Sequence, residues 1–112
     1  MDQGSNLSYV FTLLEVGGGA YALTSYDARL QVRASYGATS TLINCTVANS
    51  KLVIASNTIT LVLVPADTSS IRFADKDDET LDCVYDLEII APSGSVYKPA
   101  RGSFTLTREV TR

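Results

Sequence analysis

Leu81-Asp82-Cys83-Val84-Tyr85-Asp86-Leu87-Glu88-Ile89-Ile90 is the stretch that decides the fold. Leu81, Cys83, Tyr85, Leu87 and Ile89 fall on alternate positions with Asp82, Asp86 and Glu88 between them, the period of a strand with one face buried and one face wet. Pro92-Ser93-Gly94-Ser95 supplies turn chemistry directly after it. Val96-Tyr97 and Phe104-Thr105-Leu106 then supply apolar residues to pair against it. A central strand followed by a C-terminal hairpin is the expected nucleus.

Working outward, Asn6 to Glu15 alternates with Leu7, Tyr9, Phe11 and Leu13 on one side and Ser8, Val10, Thr12 and Leu14 on the other. This is a first strand, apolar on one face and mixed on the other, suited to cover by a second sheet or another subunit. Gly17-Gly18-Gly19 reads as a hairpin loop and not as a phosphate cradle, because no helix follows to aim amides at an anion. Asp27 to Ser35 turns Ala28, Leu30, Val32 and Ala34 inward and Arg29, Gln31 and Arg33 outward. Both arginines then share a face on which Asp86 or Glu88 can meet them across strands, or on which they stay solvated. Thr41 to Val47, Lys51 to Ala55 and Thr58 to Val64 read as a three-strand meander. Pro65 ends it, and 66–71 has room for one helical turn with Asp67 or Thr68 as its cap. Pro99 lacks a ladder donor and belongs at an edge, a bulge or a strand boundary.

Seven to eight short strands separated by turn signals predict an all-β fold, an immunoglobulin-like antiparallel β-sandwich, with a small barrel as the runner-up. The 112 residues fit a single domain, 1–112, burying roughly 65% of the extended chain's surface. The nine basic residues are scattered in a chain of net charge −3, so nucleic acid is not an expected partner. Nothing approaches the ~20 apolar residues of a membrane helix, and Met1 to Asn6 lacks the basic-then-apolar pattern of an export signal. A soluble protein without a membrane partner is expected.

Several chemistries are missing. With no histidine anywhere, Ser-His-Asp and Cys-His catalysis are excluded and the commonest metal ligand is gone. Lys51 and Lys98, read as lying in a strand and a turn, make a poor Ser-Lys pair. Two cysteines alone cannot hold structural zinc. Asp82, Asp86 and Glu88 describe a wet strand face better than a tuned acid and base. The run Asp75, Asp77, Asp78 and Glu79 lacks the ligand alternation and turn glycine of a calcium loop and reads as a solvated loop. The expectation is a non-enzyme with no catalytic residue, metal or cofactor. Cys45 and Cys83 read as buried thiols, with a bridge between them as the alternative, and Asn44-Cys45-Thr46 is a glycosylation sequon of consequence only in a secretory pathway. Three or four of the tyrosines, Tyr85 among them, are expected to anchor the two sheets.

Several segments together resemble a family of small immunoglobulin-like tail, baseplate and fibre-associated proteins of tailed bacteriophages, similar to the N-terminal domain of baseplate upper proteins. The likeness runs through Gln3-Gly4 before an aromatic first strand, then Leu23-Thr24-Ser25-Tyr26-Asp27-Ala28-Arg29-Leu30-Gln31-Val32-Arg33. It continues with Pro65-Ala66-Asp67-Thr68, Tyr85-Asp86-Leu87-Glu88, Ser93-Gly94-Ser95-Val96, Gly102-Ser103-Phe104 and Glu109-Val110-Thr111-Arg112. It covers nearly the whole chain, and the order and spacing of the pieces carry it. Ser25 departs from the glycine usual in such proteins, and Lys98-Pro99 from more apolar residues before Gly102. Both bear on docking surfaces more than on the fold.

The resemblance implies a virion component, made in the host cytoplasm, that binds other phage tail proteins and forms a homo-oligomer within a symmetric assembly. The first strand, Leu7 to Leu14, and the last, Phe104 to Val110, are then the natural edges for a partner strand, with Tyr9, Phe11, Leu13, Phe104, Leu106 and Val110 as interaction residues. The alternatives are a host-surface glycan binder using Tyr21, Tyr36 or Tyr97 in loops at one end of the sandwich, and a head or neck protein with the same fold.

Overall fold

The computed structural model describes residues 1–73 and 79–108. Among these residues, seven strands form two antiparallel sheets. The smaller holds β1 (Leu7–Thr12), β5 (Thr58–Leu63) and β4 (Leu52–Ala55) in the order β1-β5-β4. The larger holds β3 (Ile43–Thr46), β2 (Asp27–Arg33), β6 (Thr80–Ile90) and β7 (Val96–Thr107) in the order β3-β2-β6-β7. A short helix, α1 (Pro65–Ser69), lies between β5 and β6. The architecture is the expected all-β sandwich. Its order matches an immunoglobulin sandwich that lacks a full first strand: Asp2 makes a parallel bridge to Thr107 on the free side of β7, and nothing pairs the outer side of β1 among the described residues.

The core follows from alternation. Ala28, Leu30 and Val32 of β2, Cys83, Leu87 and Ile89 of β6, and Ile59, Leu61 and Leu63 of β5 are all buried. β6 is internal, with β2 on one side and β7 on the other. Leu87 faces Leu30 and Ala100 across those two ladders and has no exposed surface. The β6–β7 hairpin turns through residues 91–95, where the Ala91 N–H donates to Ser95 O and Gly94 takes a φ of 91° that a side chain would resist. Pro99 falls in edge strand β7 at the register shift between Leu87 and Ile89, a bulge that spares the ladder the missing donor.

Three expectations give way to the geometry. Residues 41–64 are not one meander: β4 and β5 pair, whereas β3 joins β2 in the other sheet, with Ile43 opposite Val32 and Cys45 opposite Leu30. Periodicity marks strands but carries no information about which sheet each enters. The glycine run closes only a single-bridge hairpin, Leu14 with Ala20, before the chain crosses between sheets to β2. Asp67 and Thr68 lie inside α1, whose N-cap is Val64. Asp67 reaches back to accept from the Val64 N–H at 2.8 Å, and Thr68 is buried.

The N-terminal residues fasten this helix to the rest. The Gln3 side-chain amide donates to Thr68 O at 3.1 Å, Ile71 O at 3.0 Å and Ser69 O at 3.4 Å at the C-terminal end of the helix, where Thr68 O also accepts the Ile71 N–H at 3.0 Å. The Gly4 N–H donates to Thr68 Oγ1 at 2.8 Å, and the Gln3 N–H to Thr107 O at 2.8 Å. One residue thereby ties α1 to the free side of β7.

Cys45 and Cys83 are both buried and unbridged. Cys45 faces Leu30, which faces Leu87, four residues along β6 from Cys83, so two strand spacings and that offset part the pair by about 16 Å. Burial pushes the Cys45 thiol up to about 11, against the pull of the Lys51 ammonium, and burial also raises Cys83. Both thiols are therefore expected to resist alkylation in the native protein and to react once it is unfolded. Their labelling rates with and without denaturant, followed by mass spectrometry, check this, and reductant should leave the melting temperature unchanged.

Candidate interaction surface

Both sheets present an edge on the same side of the sandwich, β1 from one and β7 from the other. The Phe11 ring lies 6.1 Å, centroid to centroid, from that of Tyr85 on β6, so β1 sits above β6 and β7 projects beyond it. Between them opens a groove of about 320 Å³ lined by Met1, Leu7, Tyr9, Phe11, Tyr85 and Phe104, with Leu30, Val32 and Leu61 at its base. Farther along the same side, Thr12, Leu13, Leu14, Tyr21, Ile89, Tyr97 and Pro99 line a second hollow of about 470 Å³. Leu7 with Phe104 marks one end of this side and Leu13 with Tyr97 the other, so β1 and β7 run in opposite directions along it.

The unpaired backbone of β1 can be assigned. The Leu13 N–H donates to Asn57 O, and Leu7, Tyr9 and Phe11 face Leu63, Leu61 and Ile59 in the same register. Odd residues of β1 therefore exchange hydrogen bonds with β5, and Ser8, Val10 and Thr12 direct their N–H and C=O groups to the free edge. The Val62 N–H bonds to Lys51 O on the other side of β5, in keeping with this phase.

The residues expected to mediate interaction divide accordingly. Tyr9 is half exposed at the groove mouth, its ring 4.9 Å from that of Phe11. Phe11, Leu13 and Phe104 are partly buried against the core. Leu106 has no exposed surface and is a core residue, not an interaction residue, because the inward side of β7 at that point is closed by packing. Val110 lies outside the described residues, as does most of the acidic run, residues 75–78. Sequence alternation found the strand but not Met1, Tyr85 or Leu30 as groove residues, since those come from three other parts of the chain.

The outer face of the larger sheet is charged. Arg29 pairs with Glu88, which stands opposite it in register, and Lys98 lies 3.5 Å from Glu88 and 3.6 Å from Asp86. Arg33 turns instead to Ala38 O and Gln31 Oε1. The Arg101 guanidinium stacks over the Tyr36 ring at 5.8 Å. Tyr36 therefore sits away from Tyr21 and Tyr97, which share the hollow at the far end, and the three tyrosines do not converge on one surface.

Two carboxylates are held below their ordinary range. Burial pushes Glu88 up, but the Arg29 guanidinium and then the Lys98 ammonium outweigh it. Burial likewise raises Asp67, and the hydrogen bonds from Lys51 and the Val64 N–H outweigh it. Groups depressed in the folded state contribute stability that is fully present above the unfolded carboxylate pKa and is lost as pH falls through the folded value. Stability should therefore hold near neutrality and decline below about pH 4. Asp67→Asn should be less stable at pH 7 and show a shallower acid limb in urea titrations across pH 2.5 to 7.

No group of three or more histidine, cysteine, aspartate or glutamate side chains suited to a metal ion occurs among the described residues. No helix among them is long and apolar enough to cross a membrane. No family model matches the chain, and no curated protein matches it in sequence.

Proposed function

We propose that this chain is a structural, non-enzymatic component of a tailed-bacteriophage virion, a tail, baseplate or tail-fibre adaptor that works by binding other tail proteins within a symmetric assembly. The observation that carries the reading is the ordered likeness along nearly the whole chain, from Gln3-Gly4 to Gly102-Ser103-Phe104, to small immunoglobulin-like tail proteins. Two further features support it. A chain with no histidine has lost most routes to acid–base and nucleophilic catalysis at neutral pH. The side of the sandwich between β1 and β7 offers unpaired backbone beside exposed apolar side chains, the usual material of protein assembly.

The test is the place of the protein on particles. Gold-labelled antibody raised against it should decorate the tail or its tip on intact virions of the encoding phage. Label confined to heads or necks assigns the same sandwich to another part of the particle, and particles free of the protein by mass spectrometry overturn the reading.

A further inference from the structure

We propose that the groove beside β1 is a strand-acceptor site, which takes one extended segment of another polypeptide, apolar at alternate positions, paired along the free edge of β1. The inference rests on the assembly reading and names the form its partner takes.

Four sheet edges exist, and they are not equivalent. β3 and β4 are four residues each, too short to template much pairing. β7 carries Lys98, Pro99 and Arg101, which discourage an added strand, and residues 1–3 already occupy the end of its free side. β1, Leu-Ser-Tyr-Val-Phe-Thr, has no charge, proline or glycine, and the groups of Ser8, Val10 and Thr12 point outward. Among the described residues, no charge, proline, bulge or covering segment protects this edge.

The shape beside it selects the occupant. β7 projects past β1, so a second sandwich brought edge to edge with β1 would collide with β7 before the small sheets joined. The ledge has the width of one strand. Residues 1–3 already close the neighbouring edge: they run parallel to β7, Met1 O accepting from the Thr107 N–H at 2.8 Å and the Met1 amine donating to Thr105 O, with Met1 lining the groove, so the edge of β1 is the one left to pair. The alternate side chains of the added segment would descend between Tyr9, Phe11 and Phe104 toward Tyr85, where charge would find no partner. Tyr9, Val10 and Leu14, all at least half exposed, would be covered.

The full chain is to be mixed with an end-capped peptide of alternating threonine and isoleucine, and separately with an isomer that groups the isoleucines together. Amide exchange at Ser8, Val10 and Thr12 should slow by about tenfold or more with the alternating peptide alone. Val10→Pro removes a free-edge donor but none of the bonds to β5, so the variant should keep its melting temperature and lose the peptide. If Val10→Pro does not fold, Ser8→Pro asks the same question at the neighbouring free-edge residue. Equal protection by both peptides, protection on β7 instead of β1, binding that survives the proline, or no binding at millimolar peptide each overturn the proposal. Particle labelling is independent of all of these: a labelled tail with an inert groove sinks the acceptor site alone, and an occupied groove on a protein absent from particles sinks the assembly reading alone.

Discussion

Leu87→Ala is expected to lower the unfolding free energy by about 2–5 kcal/mol, and Glu88→Gln, one residue on, by no more than about 1 kcal/mol. The contrast follows from the pleat. Leu87 faces the space between the sheets, touches solvent nowhere and stands between Leu30 and Ala100 in an internal strand, so its truncation leaves a cavity that two rigid ladders cannot close. Glu88 faces outward, and its partner Arg29 is half exposed, so water replaces most of what the pair loses. A domain of this size has about 5–15 kcal/mol in total, and the larger loss is a substantial share of it. Urea titrations with unchanged slope would give both values. A Leu87→Ala loss below about 1 kcal/mol would mean that β6 is not the centre of the core.

That centre is legible in the sequence because alternation is a local property: the spacing of Leu81, Cys83, Tyr85, Leu87 and Ile89 fixes which side chains face inward whatever β6 pairs with. The cross-strand partnership of Arg29 with Glu88 is nearly as legible, since an outward arginine on one strand and an outward carboxylate on its neighbour leave few registers. Sheet membership is not. β3 and β4 have the same length, and β3 goes to β2 because Ile43 and Cys45 complete the core face beside Val32 and Leu30, a fact of tertiary packing. The groove was only half visible. β1 announces an unguarded edge by composition, whereas the ledge under it exists because the two sheets differ by one strand, and no single segment encodes that.

The least legible feature is Gln3, and removing its amide carries the second large effect. Gln3→Met keeps the length and most of the volume of the side chain but offers no donor to the carbonyls of Thr68, Ser69 and Ile71. Thr68 O keeps the Ile71 N–H when the amide goes, while the part-buried contacts to the Ser69 and Ile71 carbonyls are lost, so a loss of about 1–2 kcal/mol is expected, larger than for an exposed ion pair. The consequence should extend to the edge of the other sheet, because the same residue donates its N–H to Thr107 O and so holds residues 1–3 on β7. Faster amide exchange at position 3 and at Thr107 in the variant would register it. Thr68→Val removes the hydroxyl that the Gly4 N–H binds, at the other end of the same clamp. If the N-terminal segment and α1 hold each other as one unit, the second substitution costs less in the presence of the first, and the double variant falls short of the sum by about 0.5 kcal/mol or more. Strict additivity would mean that the two contacts are independent and that the segment on β7 is seated by its backbone bonds alone.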